Sequence, residues 1–314
     1  MNCRSKSADS ELPTEHPMDG ITIRPLDFRL SSKTSDDCIW NHRRPEYAVF
    51  LNALGVHVPY FERYLVFALR KARSATRDAR LKKDQGGIIG QEAHHAHNYR
   101  QFSGALFERY ASLRRIDQRA MQYFEKHAQI DSDRRLIGFT AGYETFTFLA
   151  GLLLLDEFDD WFGDADPEIA AFWIWHQVEE VEHGSVAFDT YKHLYGEKEL
   201  YRKWMIVVAM FHLARETVAA YRVMMVAEGW VKNPRLAFAR SRFCAWMLLR
   251  FARSALPAFS KRYHPRNHPL VTNRQNIVQQ GWRRFSASGG DVLSIDREKV
   301  EALIGSERRV PGNE

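Results

Sequence analysis

The amino-acid sequence predicts an all-α fold. From Glu46 onward, apolar residues recur at the i, i+3, i+4, i+7 spacing of amphipathic helices. Few alternating runs of the kind that indicate strands compete with this pattern. The breaks between the periodic segments coincide with clusters of Gly, Pro, Asn and Asp, which commonly end helices.

The periodic segments predict six helices in one domain. They cover about 59–83, 90–128, 133–156, 167–195, 199–229 and 233–259. Breaks are expected at Gly86-Gly87 and Gly90, at Asp131-Ser132-Asp133, between Gly163 and Pro167, at Gly196 and at Asn233-Pro234. Residues 1–45 are predicted to be a tail and lead-in, in which Ile21–Leu30 could add a short strand. The helical domain then spans 46–260, and 261–314 form a C-terminal extension.

The charge of the chain is moderately basic and unevenly distributed. Its 314 residues carry 45 Lys and Arg against 39 Asp and Glu, a net charge of +6, and the stretch 235–284 is basic. No zinc-finger, RRM or helix-turn-helix signature accompanies that stretch, so no nucleic-acid partner is expected. The basic region could instead dock an acidic carrier protein or a membrane surface, or be a solvated face.

Cysteine usage and hydropathy favour a cytoplasmic protein. The three cysteines lie far apart, in neither a disulfide framework nor a CxxC metal motif, and residues 1–17 have no apolar signal-peptide core. The longest uncharged apolar runs, Thr145–Leu155 and Trp204–Ala214, have 11 residues each. A bilayer span needs about 20 residues, so no membrane-spanning helix is expected.

Two Glu-x-x-His motifs are the first indication of a chemical function. Glu92 and His95 form one, and Glu180 and His183 form the other. Residues i and i+3 lie on the same face of a helix, so each pair can hold a metal ion from a single helix.

A solitary glutamate lies on the helix before each motif. Glu62 precedes the first motif, and Glu144 precedes the second. Glu144 is the only charged residue between Leu136 and Leu155, and a buried, unpaired carboxylate costs several kcal/mol. A metal ion removes that cost. One Glu from each of two helices and Glu-x-x-His from each of two others is the pattern of ferritin-like di-iron bundles.

His176 adds a seventh candidate ligand. It lies four residues before Glu180 and seven before His183, on the same helical face. The predicted metal ligands are therefore Glu62, Glu92, His95, Glu144, His176, Glu180 and His183. The predicted architecture is a ferritin-like four-helix bundle with additional C-terminal helices.

Simpler roles exist for several of these side chains and their neighbours. Glu62 and Glu92 could be carboxylates favoured by a helix N-terminus, and His176 could be an ordinary core histidine. Glu179 and Glu182 point away from Glu180 at helical pitch and are predicted to be solvated or to support the ligands. Further candidates for lining or supporting the site are Tyr99, Thr140, Thr147, Gly151 and, less favoured, Asp189.

The ligand order resembles that of a known group of enzymes. Glu … Glu-x-x-His … Glu … His-x-x-x-Glu-x-x-His is similar to the pattern of ferritin-like di-iron arylamine N-oxygenases, such as p-aminobenzoate N-oxygenase. The segments ITIRPLDF, FLNALGVHVPYFERYLVFALRKA, QEAHHAH and WHQVEEVEHGSVAFDTY more closely resemble a bacterial family labelled only "predicted metal-dependent hydrolase". The resemblance covers roughly residues 20–260 and places all seven side chains at ligand positions.

The resemblance implies oxygen activation as the expected function. Two Fe ions would reduce O2 through a peroxo-diferric species that oxidises a small organic substrate, an amine being the first candidate. Manganese or a mixed Mn/Fe pair suits the same ligands. No dinucleotide fingerprint is present, so electrons would come from a separate donor.

Two other functions and one assembly state stay open. A dinuclear hydrolase would use its metals to generate hydroxide and bind an oxyanion. An iron-storage or ferroxidase protein would use the same ligands, although the aromatic C-terminal half would be surplus there. Those aromatic helices beyond the bundle also make a homodimer a reasonable expectation.

Overall fold

The computed structural model of the chain describes residues 16–28, 30, 38–271, 279–283 and 286–287. These residues are helical with irregular connections and contain no strand, which confirms the all-α class. The helices are α1 (Pro45–Gly55), α2 (Val58–Ala75), α3 (Ala79–Arg109), α4 (Leu113–Ile130), α5 (Asp133–Asp156), α6 (Phe158–Phe162), α7 (Pro167–His183), α8 (Val186–Tyr195), α9 (Glu199–Ala227) and α10 (Pro234–Ser254). One short 3₁₀ helix, Trp230–Lys232, lies between α9 and α10, and two more, Leu256–Phe259 and Pro265–Asn267, follow α10.

Four helices, α2, α3, α5 and α7, form the centre of the bundle. Helix α2 packs against α3 and α5, and α5 packs against α7. Helix α5 is buried over most of its length because α9 covers its other side, and α9 in turn packs on α1 and α10. The described residues therefore form a four-helix bundle with further helices packed outside it.

The first predicted helix break was placed wrongly. The chain leaves helical geometry at Thr76, and Asp78 caps α3 by accepting a hydrogen bond from the Leu81 amide (2.8 Å). Gly87 and Gly90 lie inside α3, where a Cβ would come within 2.6 Å of Ile21 and 2.2 Å of Ile23. These glycines make room for the lead-in segment that crosses α3, so they do not end a helix.

Three other features of the helices differ from the prediction. Helix α1 was not predicted, because its sequence is apolar on nearly every side and shows no helical period. The predicted helix 90–128 is divided at Tyr110–Ser112, and the predicted helix 167–195 is divided at Gly184–Ser185. The helices over 133–156, 199–229 and 233–259 agree with α5, α9 and α10 to within a few residues.

The lead-in over the described residues 16–28 is extended but is not a strand. Its backbone is bonded to helix side chains: the Phe28 amide donates to Asn98 Oδ1 (2.9 Å), and Asn98 Nδ2 donates to the Leu26 carbonyl (2.9 Å). The strand predicted over 21–30 was therefore wrong for its described part. Residues 1–15, and most of the predicted extension after 271, lie outside the described residues.

One described helix, α5, is long and apolar enough to cross a membrane by length and composition alone. However, 83% of its apolar window is buried inside the protein. This is typical of the core helix of a soluble protein, and α5 is the helix that carries Glu144.

Replacing Gly142 with Ala should weaken the contact between α5 and α9. A Cβ at Gly142 would lie 2.6 Å from the Met205 carbonyl oxygen and 3.0 Å from the Ile206 amide nitrogen, which are backbone atoms that cannot move aside. We expect Gly142→Ala to lower the free energy of unfolding by about 1–3 kcal/mol in chemical denaturation. Gly104→Ala is the control: apart from its chain neighbours and its own helix backbone, the described residues place no atom within 4 Å of a Cβ there, so a gain of about 0.5–1 kcal/mol is expected. Equal gains in both variants would contradict the packing.

Candidate metal centre

The seven predicted ligands converge in the centre of the bundle. Each is at most 4% exposed. They form two clusters: Glu62, His95, His176 and Glu180 in the first, and Glu92, Glu144 and His183 in the second. Within each cluster the candidate ligand atoms lie within 4.8 Å of one another, so each cluster could hold one metal ion.

All four central helices contribute to these clusters. Helix α2 supplies Glu62, α3 supplies Glu92 and His95, α5 supplies Glu144, and α7 supplies the other three. The i, i+3 and i, i+4 spacings place the side chains of α3 and α7 on the faces that meet in the bundle. Their role as metal ligands stays a prediction, and their convergence supports it.

Two of the carboxylates join the clusters. Glu92 has one oxygen 3.1 Å from His95 Nδ1 and the other 3.2 Å from His183 Nδ1. Glu180 has one oxygen 3.2 Å from His176 Nε2 and the other 3.9 Å from His183 Nδ1. Each of these carboxylates therefore directs one oxygen at the first cluster and the other oxygen at the second. A carboxylate in this position could bridge two metal ions. Glu62 and Glu144 then lie at the two ends.

The buried polar atoms of this region fit a pair of divalent ions. Five of them have no well-aligned hydrogen bond to any described residue: Glu62 Oε2, Glu92 Oε1, Glu144 Oε2, Glu180 Oε2 and His183 Nδ1. Glu92 Oε1 and His183 Nδ1 lie 3.2 Å apart but are not aligned for a hydrogen bond. Buried polar atoms without partners are rare in folded proteins because they are costly. Two divalent cations would supply partners and balance the four negative charges of the carboxylates. Carboxylate and imidazole donors suit Fe, Mn and Zn.

Without a cation, the carboxylates disturb one another's ionisation. Burial, together with the nearby charge of Glu92, raises the pKa of Glu62 to about 7. Burial, together with repulsion from Glu180 and Glu92, raises the pKa of Glu144 well above its usual range. Both shifts reflect negative charge held in an apolar interior, which a bound cation relieves.

Two of the histidines are oriented by hydrogen bonds on their far sides. His95 Nε2 lies 3.0 Å from Glu179 Oε2, and His183 Nε2 lies 2.8 Å from the amide oxygen of Gln91. Both acceptors require a proton on Nε2, which leaves Nδ1 of each ring free to bind a metal.

Gln91, Glu179 and Glu182 lie behind these histidines and form an outer layer around the clusters. Arg24 of the lead-in binds the two glutamates of this layer. Its guanidinium donates to Glu179 (3.0 Å) and twice to Glu182 (2.9 and 3.1 Å), and Gln91 Nε2 donates to Glu182 as well (2.8 Å). Arg283 makes a further ion pair with Glu182 at 2.8 Å. The charges of Glu179 and Glu182 are thus balanced without a metal ion.

The sequence predicted this outer layer only in part. Glu179 and Glu182 are fully buried, so their predicted exposure to solvent was wrong and the alternative of a supporting role fits. Gln91 directly precedes Glu92 and could have been noticed, whereas nothing in the sequence pairs Arg24 with a helix so far along the chain.

Of the other candidate residues, some adjoin the clusters and some lie away from them. Tyr99 Oη lies 3.2 Å from His176 Nδ1, and Thr147 Oγ1 donates to Glu144 Oε1 (3.1 Å), so both adjoin the clusters. Asp189 instead pairs with His264 (2.9 Å), away from the centre. His97 is half exposed and pairs with Asp27, which agrees with the choice of His95 from its run of histidines.

A small apolar cavity of about 40 Å³ lies beside the clusters. A water molecule needs about 10–15 Å³ of such volume, so the cavity has room for about three waters. His176, Glu180 and Thr147 line its polar side, and Trp173, Phe146 and Phe251 are among its apolar walls.

Replacing the glutamates at the two ends of the paired clusters should remove different metal ions. Glu62→Ala should remove the ion of the first cluster, and Glu144→Ala the ion of the second, because each change deletes a charged ligand of one cluster only. Elemental analysis of the purified variants should fall from about two to about one ion per chain. Glu108→Gln, an exposed change further along α3, should keep both. Full occupancy in both alanine variants would contradict the ligand roles.

Glu179→Gln should weaken metal binding without removing a ligand. The change keeps the shape but removes the charge that orients the Nε2 proton of His95, and such changes cost about 10–100-fold in metal affinity. A competition titration with a chelator measures this ratio. The exposed Glu125→Gln on α4 is the matched control. Equal affinity of Glu179→Gln and the native chain would show that the contact has no such role.

Comparisons with known proteins identify the family of this chain. No curated protein and no solved structure matches it. The model of a family described as "predicted metal-dependent hydrolase" matches residues 22–269, well over half of the chain. The matched range contains Arg24, Gln91, Glu179, Glu182 and all seven residues of the two clusters. The chain therefore belongs to the family of predicted metal-dependent hydrolases.

Proposed function

We propose that this protein is a dinuclear metal-dependent hydrolase that acts on a small molecule. The observation that carries the proposal is the pair of adjoining buried clusters, joined by Glu92 and Glu180, in a chain of this family. The oxygenase function expected from the ligand order has no support from the comparisons, which name hydrolysis. It is therefore the second candidate below.

Two bound divalent ions would supply a hydroxide nucleophile and a positive site for the oxyanion of a hydrolytic reaction. The chain's own residues would hold that pair. Glu62 and Glu144 would bind at the two ends, and Glu92 and Glu180 lie between the clusters. Glu179 and Gln91 keep the protons of His95 and His183 on Nε2, so that both rings face inward.

The cavity beside the first cluster is where we place the reacting group of the substrate. Its walls are mainly apolar, and the polar residues among them include His176, Glu180, Gln177, Tyr99 and Thr147. Thr147 holds one oxygen of Glu144, which leaves the other oxygen directed at the second cluster. Because about 40 Å³ accepts only a few atoms, an organic substrate has to displace a wall side chain such as Trp173.

Oxygen activation is the second candidate, and the ligand set favours it. All seven donors come from helices of one bundle, in the arrangement of di-iron carboxylate proteins. A small, mainly apolar cavity also suits O2 better than a water-requiring reaction. In this case Fe, or Mn in part, would be the metal, O2 the co-substrate, and a separate protein or small molecule the electron donor.

The source of the oxygen atom in the product separates the two candidates. Protein loaded anaerobically with Fe(II), Mn(II) or Zn(II) is given a panel of small esters, amides and arylamines in ¹⁸O-labelled water. We expect turnover without O2 and one ¹⁸O atom from water in the product, detected by mass spectrometry. Glu144→Gln should abolish the turnover, and Glu108→Gln should not.

Label from ¹⁸O2, with turnover only when O2 is present, would overturn the hydrolase proposal in favour of the oxygenase. Metal uptake and iron oxidation without turnover of any panel member would favour storage.

A further inference from the structure

The outer side of α9 and α10 carries an unusual number of exposed apolar side chains. Of fourteen large apolar residues that are exposed in the described part of the chain, eleven lie between Leu200 and Phe259. Leu200, Phe211 and Phe238 are each at least 70% exposed. Scattered exposed apolar residues need no explanation, but a concentration of this kind marks an interaction surface.

The exposed residues follow the helical period. On α10, Phe238, Arg242, Trp246, Leu249 and Arg253 follow one another at intervals of three or four residues, so they share one face. Cations and large apolar groups thus alternate along this face.

The same period runs along α9. Leu200, Trp204, Phe211 and Val218 are spaced by four and then seven residues, and all are exposed. They too share one face of their helix.

These two faces adjoin. A groove of about 520 Å³ is lined by Val218, Arg222 and Val226 from α9 and by Ser241 and Ala245 from α10. Val218 belongs to the α9 face, and Ser241 and Ala245 are exposed beside the α10 face, so the groove lies between the exposed sides of the two helices. We call these exposed sides together the outer face.

Within the described part of the chain, the outer face carries more positive than negative charge. The segment 199–262 contains only three carboxylates, Glu199, Glu216 and Glu228, and each already makes an ion pair with one or two cations. Seven exposed cations of this segment make no ion pair with any residue that the structure describes: Arg222, Lys232, Arg235, Arg242, Arg253, Lys261 and Arg262. This surface therefore fits a partner that brings negative charge.

We propose that the outer face binds the surface of an anionic lipid membrane. An apolar face on α9 beside a face on α10 that mixes large apolar groups with arginines matches an interface in which apolar groups enter the acyl boundary and cations contact lipid phosphates. A protein interface more often has an apolar centre and a separate polar rim. A second copy of this chain would bring the same unpaired cations against themselves, which is repulsive.

Sedimentation with vesicles tests the proposal on the full chain. We expect the protein to bind vesicles of phosphatidylcholine and phosphatidylserine, to bind phosphatidylcholine alone much more weakly, and to dissociate as salt is added. Poly-glutamate serves as an acidic competitor without an apolar phase, and light scattering reports the oligomeric state.

Variants of the outer face separate charge from apolar contact. The triple change Arg235→Gln, Arg242→Gln and Arg253→Gln should weaken binding to the mixed vesicles about a hundredfold. The matched control, Arg70→Gln, Arg77→Gln and Arg115→Gln, removes three exposed charges elsewhere and should have little effect.

Phe238→Ser should weaken binding about tenfold through lost apolar burial, while the exposed Phe67→Ser on α2 should not. Circular dichroism confirms that each variant is folded.

Three results would overturn the proposal. Equal or absent binding to both vesicle types would show that anionic lipid is not recognised. Binding to poly-glutamate but not to vesicles would indicate an acidic protein partner. A dimer that Phe238→Ser dissociates would assign the outer face to a second copy of the chain.

Discussion

The rest of this structure depends on the burial of four carboxylates and three imidazoles in the centre of a helical bundle. Groups of this kind are costly in an apolar interior unless opposite charge and hydrogen bonds compensate them. Each of the four central helices contributes a glutamate to the clusters, so a pair of cations would link all four. Helix α5 shows the constraint most clearly, since Glu144 is the one charged side chain in a buried apolar stretch of twenty residues.

A second layer of charge makes the lead-in part of the centre. Arg24 balances Glu179 and Glu182, which in turn orient His95 directly and His183 through Gln91. The lead-in reaches this position because Gly87 and Gly90 let it pass close over α3. A segment without regular secondary structure thus determines which nitrogen of two histidines faces the clusters.

Much of the fold and the cluster could be predicted from sequence, because helical periodicity and i, i+3 spacing are local properties. Glu144 was identifiable since its apolar neighbours require burial. Arg24 was not, because its partners are set by how the lead-in crosses the bundle and not by spacing. The glycines of α3 were misread as breaks for the same reason: their small size serves a tertiary contact. For Glu179 and Glu182 the sequence left exposure to solvent and a supporting role both open, because helical angle alone does not show that all sides of α7 are covered.

Anomalous X-ray diffraction at the absorption edge of the bound metal tests the central claim most directly. The account predicts two peaks about 3.5–4 Å apart in the bundle centre. One peak should lie within about 2.0–2.2 Å of its Glu62 and His176 donor atoms, and the other equally close to those of Glu144 and His183. Peaks elsewhere on the chain, or no peak at these clusters in crystals grown with excess metal, would contradict it.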